Sequence, residues 1–411
     1  MSNQSPHLTL AETVLMDQIA KGNALHPKQG AARHLLKQYG IPSRKREYWH
    51  YTDLRVLLNT IPVWAVGGES STTIAPFLKE SFVVPSHNGI PIPVKKGAYF
   101  EAKPLKGAAL APYLPDELKR EDFIGQFNSA FVTEGQDIIL RAGAPVVLEL
   151  QNTYASGQSH GFTHVTCQSN SRAMIIERYC SASGARLLTS QTKLSLEEGS
   201  VVDWIIIADS VEGGVELRKL NARLAKDAQL NLYFINQARA ISRHEINVVL
   251  VAAGADFQLR ALNLLAERSH SDLTTTIEHM ARGTTSRELV RNVVTDSAYG
   301  AFQGLIKVAK EAQKTDARMA CNSLLLSDKA TFNTKPELEI FADDVACAHG
   351  ATFSDINEDH LFYLLARGID ESTARSLLVK AFMAELLDTM KETRMRSILE
   401  NKVETWLTRY V

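Results

Sequence analysis

Cys347 and His349 stand two places apart in the string Cys347-Ala348-His349-Gly350-Ala351-Thr352, which runs between a Leu-Glu-Ile stretch and a Leu-Phe-Tyr-Leu stretch. A thiol and an imidazole at that spacing project to one side of an extended strand, so both can face one metal ion or one partner surface. Two ligands do not close a metal site, and on residue chemistry alone the pair reads more readily as a packed structural contact. The other cysteines, Cys167, Cys180 and Cys321, are dispersed and form no Cys-x-x-Cys pair. They suit reduced thiols that fill a core rather than a disulfide framework.

Other chemistry is sought and not met. The chain has no Gly-x-x-x-x-Gly-Lys-Ser/Thr loop, no Gly-x-Ser-x-Gly elbow, no His-Glu-x-x-His helix and no dinucleotide fingerprint. Asp343-Asp344 could suggest the clustered carboxylates of a β-helical carbohydrate-active enzyme, but adjacent strand residues point to opposite faces and cannot readily share one sugar or one calcium ion. The cation-aromatic run from Arg44 to Thr52 could suggest base stacking; in a neutral chain it reads better as a packed aromatic strip with snorkelling basic stems.

The elements that must position Cys347 and His349 emerge from a faint repeat. Copies begin at Leu140, Gln168, Leu196, Leu224 and Val251, about 28 residues apart, a period that signals a solenoid. Turn-forming Gly143, Ser171, Gly199, Asp227 and Gly254 occupy one place in each copy. Period-two pairs follow each turn and predict an inward strand face: Val146 and Leu148, Met174 and Ile176, Val202 and Trp204, Leu230 and Leu232, Phe257 and Leu259. The second copy is imperfect, and later copies near Met280 and Val308 fit loosely. With no long amphipathic helix inside the repeat, coils of a β-helix explain it better than a β-sandwich, which needs no constant register. Strand edges at the ends of such a column must be capped or paired with another chain.

Helices flank the column. Thr9 and Glu12 form a capping-box start, and Pro27 opens a second helix that Gly40 and Pro42 close. Beyond Thr352, Asn357 caps a helix to Ala366 that stops at Gly368. Asp370 caps a longer one, on which Ala374, Leu377, Leu378, Ala381 and Phe382 are expected to line one face. Met395, Leu399, Val403, Trp406 and Tyr410 recur at helical spacing. The expected division is a helical region over 1–70, a mixed connection over 71–135, the β-helix over 136–353 and a C-terminal helical domain over 354–411.

Composition bounds the partners. Lys plus Arg (45) nearly cancels Asp plus Glu (46), a net charge of -1, so no global field draws the chain to nucleic acid or to an anionic membrane. The Met1–Ser5 start carries no secretory pattern, and no apolar stretch reaches the roughly 18 residues of a membrane span. A cytoplasmic protein is expected.

The sequence also resembles the SufB/SufD family of iron–sulfur cluster assembly proteins. The resemblance is carried by the Tyr-Trp-His-Tyr-Thr-Asp-Leu run within Ser43–Leu54, by Pro-Glu-Leu-Glu-Ile at Pro336–Ile340, by Cys347–Thr352, and by the Leu-Phe-Tyr-Leu, Arg-Gly-Ile and Leu-Leu-x-x-Ala elements of Leu361–Ala381. Gly350 stands where SufB-like chains carry Glu after the histidine, which points to the SufD branch and removes one candidate iron ligand. The resemblance implies a mainly β protein, a right-handed parallel β-helix with N-terminal and C-terminal helical domains. It implies a non-catalytic scaffold that pairs with a SufB-like subunit and docks a SufC-like ATPase. Leu361, Phe362, Tyr363, Arg367, Leu377, Leu378 and Phe382 would form the docking surface. It also places His349, with Cys347 beside it, at the subunit junction as candidate ligands of iron or a transient iron–sulfur cluster. Nothing is expected to be tightly bound by this chain alone. Reduced flavin could serve the whole complex, and the isolated chain could form a homodimer. A carbohydrate-active β-helix and a homo-oligomeric structural rod without a metal role are the competing readings.

Overall fold

A computed structural model describes residues 8–65, 74–181, 184–209, 213–237 and 239–411. The Met1–Ser5 reading and the boundary at 70–71 lie outside them. Two sheets face one another across a shared apolar interior, one of ten strands ending in Ala346–Ser354 and one of nine ending in Thr331–Ile340. The chain alternates between the longer and the shorter sheet, and from Val146 onward every strand pairing is parallel, the signature of a β-helix.

The turn places stack as the repeat predicts. Register brings Gly143, Asn170, Gly199, Asp227, Gly254, Gly283 and Lys314 into one column of positive-φ residues. In the second copy the left-handed residue is Asn170 (φ 61°), one place before the predicted Ser171. The shift corrects the inward assignment there. Ala173 and Ile175 join the interior of the column, whereas Met174 and Ile176 face outward, because a one-place slip exchanges the faces of a strand. The other four predicted pairs lie inside.

The interior also carries a polar rail. Asn236 Nδ2 donates to Asn263 Oδ1 (3.2 Å), Asn263 Nδ2 to Asn292 Oδ1 (2.8 Å), and Asn292 Nδ2 to Ser323 Oγ (3.1 Å). Each side-chain amide thus satisfies the next, which buried polar groups require.

Among the described residues seven α-helices flank the column. The N-terminal α1 (Leu10–Lys21), α2 (Pro27–Tyr39) and α3 (Leu54–Leu57), with α4 (Phe123–Phe131), cluster against outward Leu187, Val215 and Leu217 of the shorter sheet. The C-terminal α5 (Glu358–Ala366), α6 (Glu371–Asp388) and α7 (Thr393–Tyr410) cover outward Ile205, Ile207, Ile235 and Leu264 of the longer sheet. The predicted caps are present: Thr9 with Glu12 at α1, Asn357 at α5 and Asp370 at α6. The buried face of α6, however, is Ala374, Val379, Met383, Leu386 and Leu387; Leu377 and Ala381 are exposed. On α7 Met395, Leu399, Val403 and Trp406 are buried as expected, with Tyr410 at the margin.

The two ends of the column differ. Toward the N-terminus, antiparallel strands close both sheets: Ile90–Pro91 beside Phe82–His87, and Phe100–Lys106 beside Glu134–Leu140. The column therefore begins inside the segment expected to be a mixed connection. A two-residue strand with proline, and a lysine-bearing one, are the usual means of blunting a sheet edge. Toward the C-terminus, among the described residues, nothing comparable follows Ala346–Ser354 in its sheet. Among the described residues no helix is long and apolar enough to cross a membrane.

Candidate functional site

Ala346–Ser354 is the terminal strand of the longer sheet, pairing in parallel with Asp316–Leu325 on one side only. Its sequence, Ala-Cys-Ala-His-Gly-Ala-Thr-Phe-Ser, contains no lysine, proline or carboxylate. A long, uncharged, uncovered edge offers a free row of N–H and C=O groups to another strand. Every residue of it is exposed except half-buried Cys347.

Register fixes where its side chains point. Cys347 aligns with Ala317, His349 with Met319 and Ala351 with Cys321, and all three partners lie inside the column. Cys347 and His349 therefore share the inward-facing side, as their spacing predicts, but they sit at the mouth of the interior where no further coil covers them. Cys347 packs against the core, while the His349 imidazole is exposed. Around the mouth stand Ile340, Phe341 and Phe353, at 39%, 68% and 48% exposure, with Phe353 6.5 Å from the ring of Phe332 below.

Burial pushes the Cys347 thiol above its usual range. No nearby cation activates it, so it is not a primed nucleophile; a bound metal would itself deprotonate it. Among the described residues no group of three His, Cys, Asp or Glu side chains is arranged to hold a metal ion. Burial, aided at Cys167 by the Glu197 charge, raises Cys167 and Cys321 to about 12 and about 11. These two fill the interior as expected. Cys180 does not: it aligns with Thr153 on the outward face and is half-buried, its thiol raised chiefly by desolvation. A thiol reagent such as DTNB is thus expected to modify Cys347 and Cys180 in the folded chain well before Cys167 and Cys321. Equal rates for all four would contradict this burial order.

The surface expected to dock a partner is divided. Phe362, Tyr363, Arg367 and Leu377 are exposed, and the Arg367 guanidinium lies 5.1 Å from the Tyr363 ring centre. Leu361 is buried among the C-terminal helices, Leu378 is half-buried, and half-buried Phe382 lies beneath Arg291 at 4.9 Å. Neither the Arg44–Thr52 run nor Asp343-Asp344 is laid out for ligand. Trp49 is fully buried under Arg243, and Asp344 pairs with Lys314 at a turn.

With strand, mouth and helices placed, comparison with known proteins decides the family. A model described as "SUF system FeS cluster assembly, SufBD core domain" matches residues 150–382, a span that includes Cys347, His349 and α5. The chain belongs to the SufBD family. It is 28% identical to the iron–sulfur cluster assembly protein SufD of Escherichia coli over 400 residues, covering 92% of each chain. It is 26% identical to an iron–sulfur cluster assembly SufBD family protein of Synechocystis, covering 89% of this chain and 87% of that one. The chloroplastic protein ABCI7 of Arabidopsis thaliana is 35% identical over 185 residues, 44% of this chain and 38% of its own. The SufBD match covers most of the β-helix and spans the residues around the mouth.

Sequence reasoning missed the buried polar groups of the interior. Glu177 accepts from Tyr179 Oη (2.6 Å) and Trp204 Nε1 (3.0 Å), Arg218 lies 3.5 Å from the Tyr179 ring centre, and Glu216 pairs with Arg218 at 2.7 Å and Arg186 at 3.2 Å. Two guanidiniums and two carboxylates share this pocket, so it is a charge-balanced structural cluster. Polar residues at equal register in successive coils could have revealed the asparagine rail, Asn236, Asn263 and Asn292, but Glu177 lies in register with Leu150 and Ile206 and left no such signal.

Proposed function

We propose that this SufBD chain is a non-catalytic scaffold subunit whose open end pairs with a SufB-like subunit, and whose α5–α6 region carries a SufC-like ATPase. The carrying observation is the unblunted terminal strand with Cys347 and His349 on its inward side. A second column set against that mouth would complete a ligand set to which this chain contributes two groups. Iron or a nascent iron–sulfur cluster is the cargo, not a resident cofactor. Thiolate and neutral imidazole are both competent iron ligands, and imidazole is the weaker, which suits a cluster that must be handed on. Phe362, Tyr363, Arg367 and Leu377 offer the ATPase an apolar patch with one cation. Nucleotide-driven closure of two such ATPases would then part the junction and admit cargo. Reduced flavin could serve the assembled complex, and the same free edge would let the isolated chain pair with a second copy. We place the assembly in the cytoplasm, with neither membrane nor nucleic acid among its partners.

The test is anaerobic reconstitution with a SufB-like chain and a SufC-like ATPase. His349→Ala is expected to leave the complex assembled but lower its bound iron and sulfide several-fold, and Tyr363→Asp with Arg367→Asp to release the ATPase alone. Unchanged iron and sulfide in the first variant would remove His349 from the site. Retained ATPase in the second would move the docking surface elsewhere.

A further inference from the structure

Two rungs inside the open end lies a carboxylic acid that the junction does not use. Glu288 is 2% exposed, and among the described residues its oxygens face one polar group, the Thr275 hydroxyl, without a well-formed hydrogen bond. It occupies an inward position, in register with Leu259 on one side and Met319 on the other, and Met319 is in turn in register with His349. Thr275 is on the facing sheet, fully buried, its hydroxyl directed at the Glu288 carboxyl and partly offsetting the effect of burial there, and in register with it is Gly304. The Met319 sulfur lies 2.5 Å from where a Cβ on Gly304 would stand, so Met319 fills that gap and separates Glu288 from the mouth.

Among the described residues no charged side chain opposes Glu288. Arg287 and Arg291, one and three places along the strand, are engaged elsewhere, with Asp316 and with Glu385. His279 of the facing sheet bonds Thr284 (2.8 Å) and Ser286 (3.0 Å), and burial drops it to about 4, so it is neutral near pH 7. The Cys321 thiol above it is pushed up to about 11 and the Cys347 thiol is raised as well. An unpaired carboxylate in such surroundings is far more costly than the neutral acid, and burial raises Glu288 from 4.5 to about 7.

Water can reach this group most directly from one direction. Toward the N-terminus the interior continues through Leu259 and Leu232, both fully buried. Toward the C-terminus there is Met319 and then the rung of Cys347 and His349, where burial gives way to exposure. We propose that Glu288 is a proton-linked latch on the open end: neutral while the last coil is closed over it, ionised only when that coil parts and admits water. Loss of one proton and loosening of Asp316–Ser354 are then a single event. The inference concerns the chain by itself and goes beyond the scaffold reading.

Amide hydrogen exchange of the whole chain from pH 4.5 to pH 8.5, corrected for the intrinsic rate, tests it. In the unmodified chain, protection of Asp316–Leu325, Thr331–Ile340 and Ala346–Ser354 is expected to fall by up to tenfold per pH unit as pH rises from 4.5 to about 7 and to level off above, while earlier coils hold. Glu288→Gln is expected to abolish that dependence. Met319→Ala, which thins the cover over the carboxyl, is expected to bring the levelling-off to lower pH, and it serves if Glu288→Gln does not fold. The same pH dependence in Glu288→Gln, a Met319→Ala plateau that does not move, or a loss of protection spread evenly over all coils would each overturn the latch. So would Mn²⁺ protecting the end of the unmodified chain but not of Glu288→Gln, since the carboxylate would then be a cation ligand.

Discussion

Replacing Arg243 with alanine is expected to lower the unfolding free energy by about 3–5 kcal/mol, the range for leaving a buried charge without its partner. The Arg243 side chain is fully buried; its Nε lies 3.0 Å from Glu245 Oε1, and it also pairs with fully buried Asp272. Its guanidinium sits 4.3 Å from the Trp49 ring centre, and Asp272 accepts from Thr52 Oγ1 at 2.6 Å. One cation thus fastens the Tyr48–Thr52 segment to the shorter sheet, and removing it strands Asp272 and uncovers Trp49 together. Replacing both Arg243 with Met and Asp272 with Leu should destabilise less than Arg243→Ala alone, because no buried charge remains unmatched. Urea titration of both variants measures this. A loss below about 1 kcal/mol for Arg243→Ala would mean that water reaches Asp272.

The second large effect is on how stability varies with pH. Glu288 holds its proton to about 7 in the folded chain, against 4.5 when unconstrained. The folded form therefore binds more protons than the unfolded one between those values, and stability falls as pH rises through that window, then levels off. The expected loss is about 1.4 kcal/mol per pH unit and about 3 kcal/mol in all. Glu177, also raised by burial, acts in the same direction. Buried His160 and His279, lowered to about 3 and about 4, act oppositely by withdrawing stability on acidification below their ordinary range. The difference between the unmodified chain and Glu288→Gln, followed by urea titration at each pH, removes the shared contributions. Parallel curves for the two would show that Glu288 is solvated in the folded chain.

Much of the coil register was legible because stacked turns constrain it. Gly143, Gly199, Asp227 and Gly254 are residues that accept a positive φ at the same rung position. The slip at the second copy has a physical origin. The longer sheet is apolar on both faces there, Ala173 and Ile175 toward the interior and Met174 and Ile176 toward the outside, so alternation could not choose between them. Only the backbone at Asn170 does. The face of α6 was misjudged for a related reason: Leu377 and Ala381 fit an apolar stripe, but the column sets which side is covered. Cys347 and His349 could be placed on one side of a strand from spacing alone. That the strand would be the last of its sheet, and free of edge-blocking residues, needed the whole stack. Glu288 was invisible because a single carboxylate amid apolar neighbours carries no motif.

The unlike ends of the column limit how large an end-to-end assembly can grow. A rod with two sticky tips would polymerise into fibres, since each added unit would present a fresh tip. Here one tip is folded back on itself by Ile90–Pro91 and Phe100–Lys106. Once the other is occupied by a column built the same way, no growing point remains, and association stops at a pair.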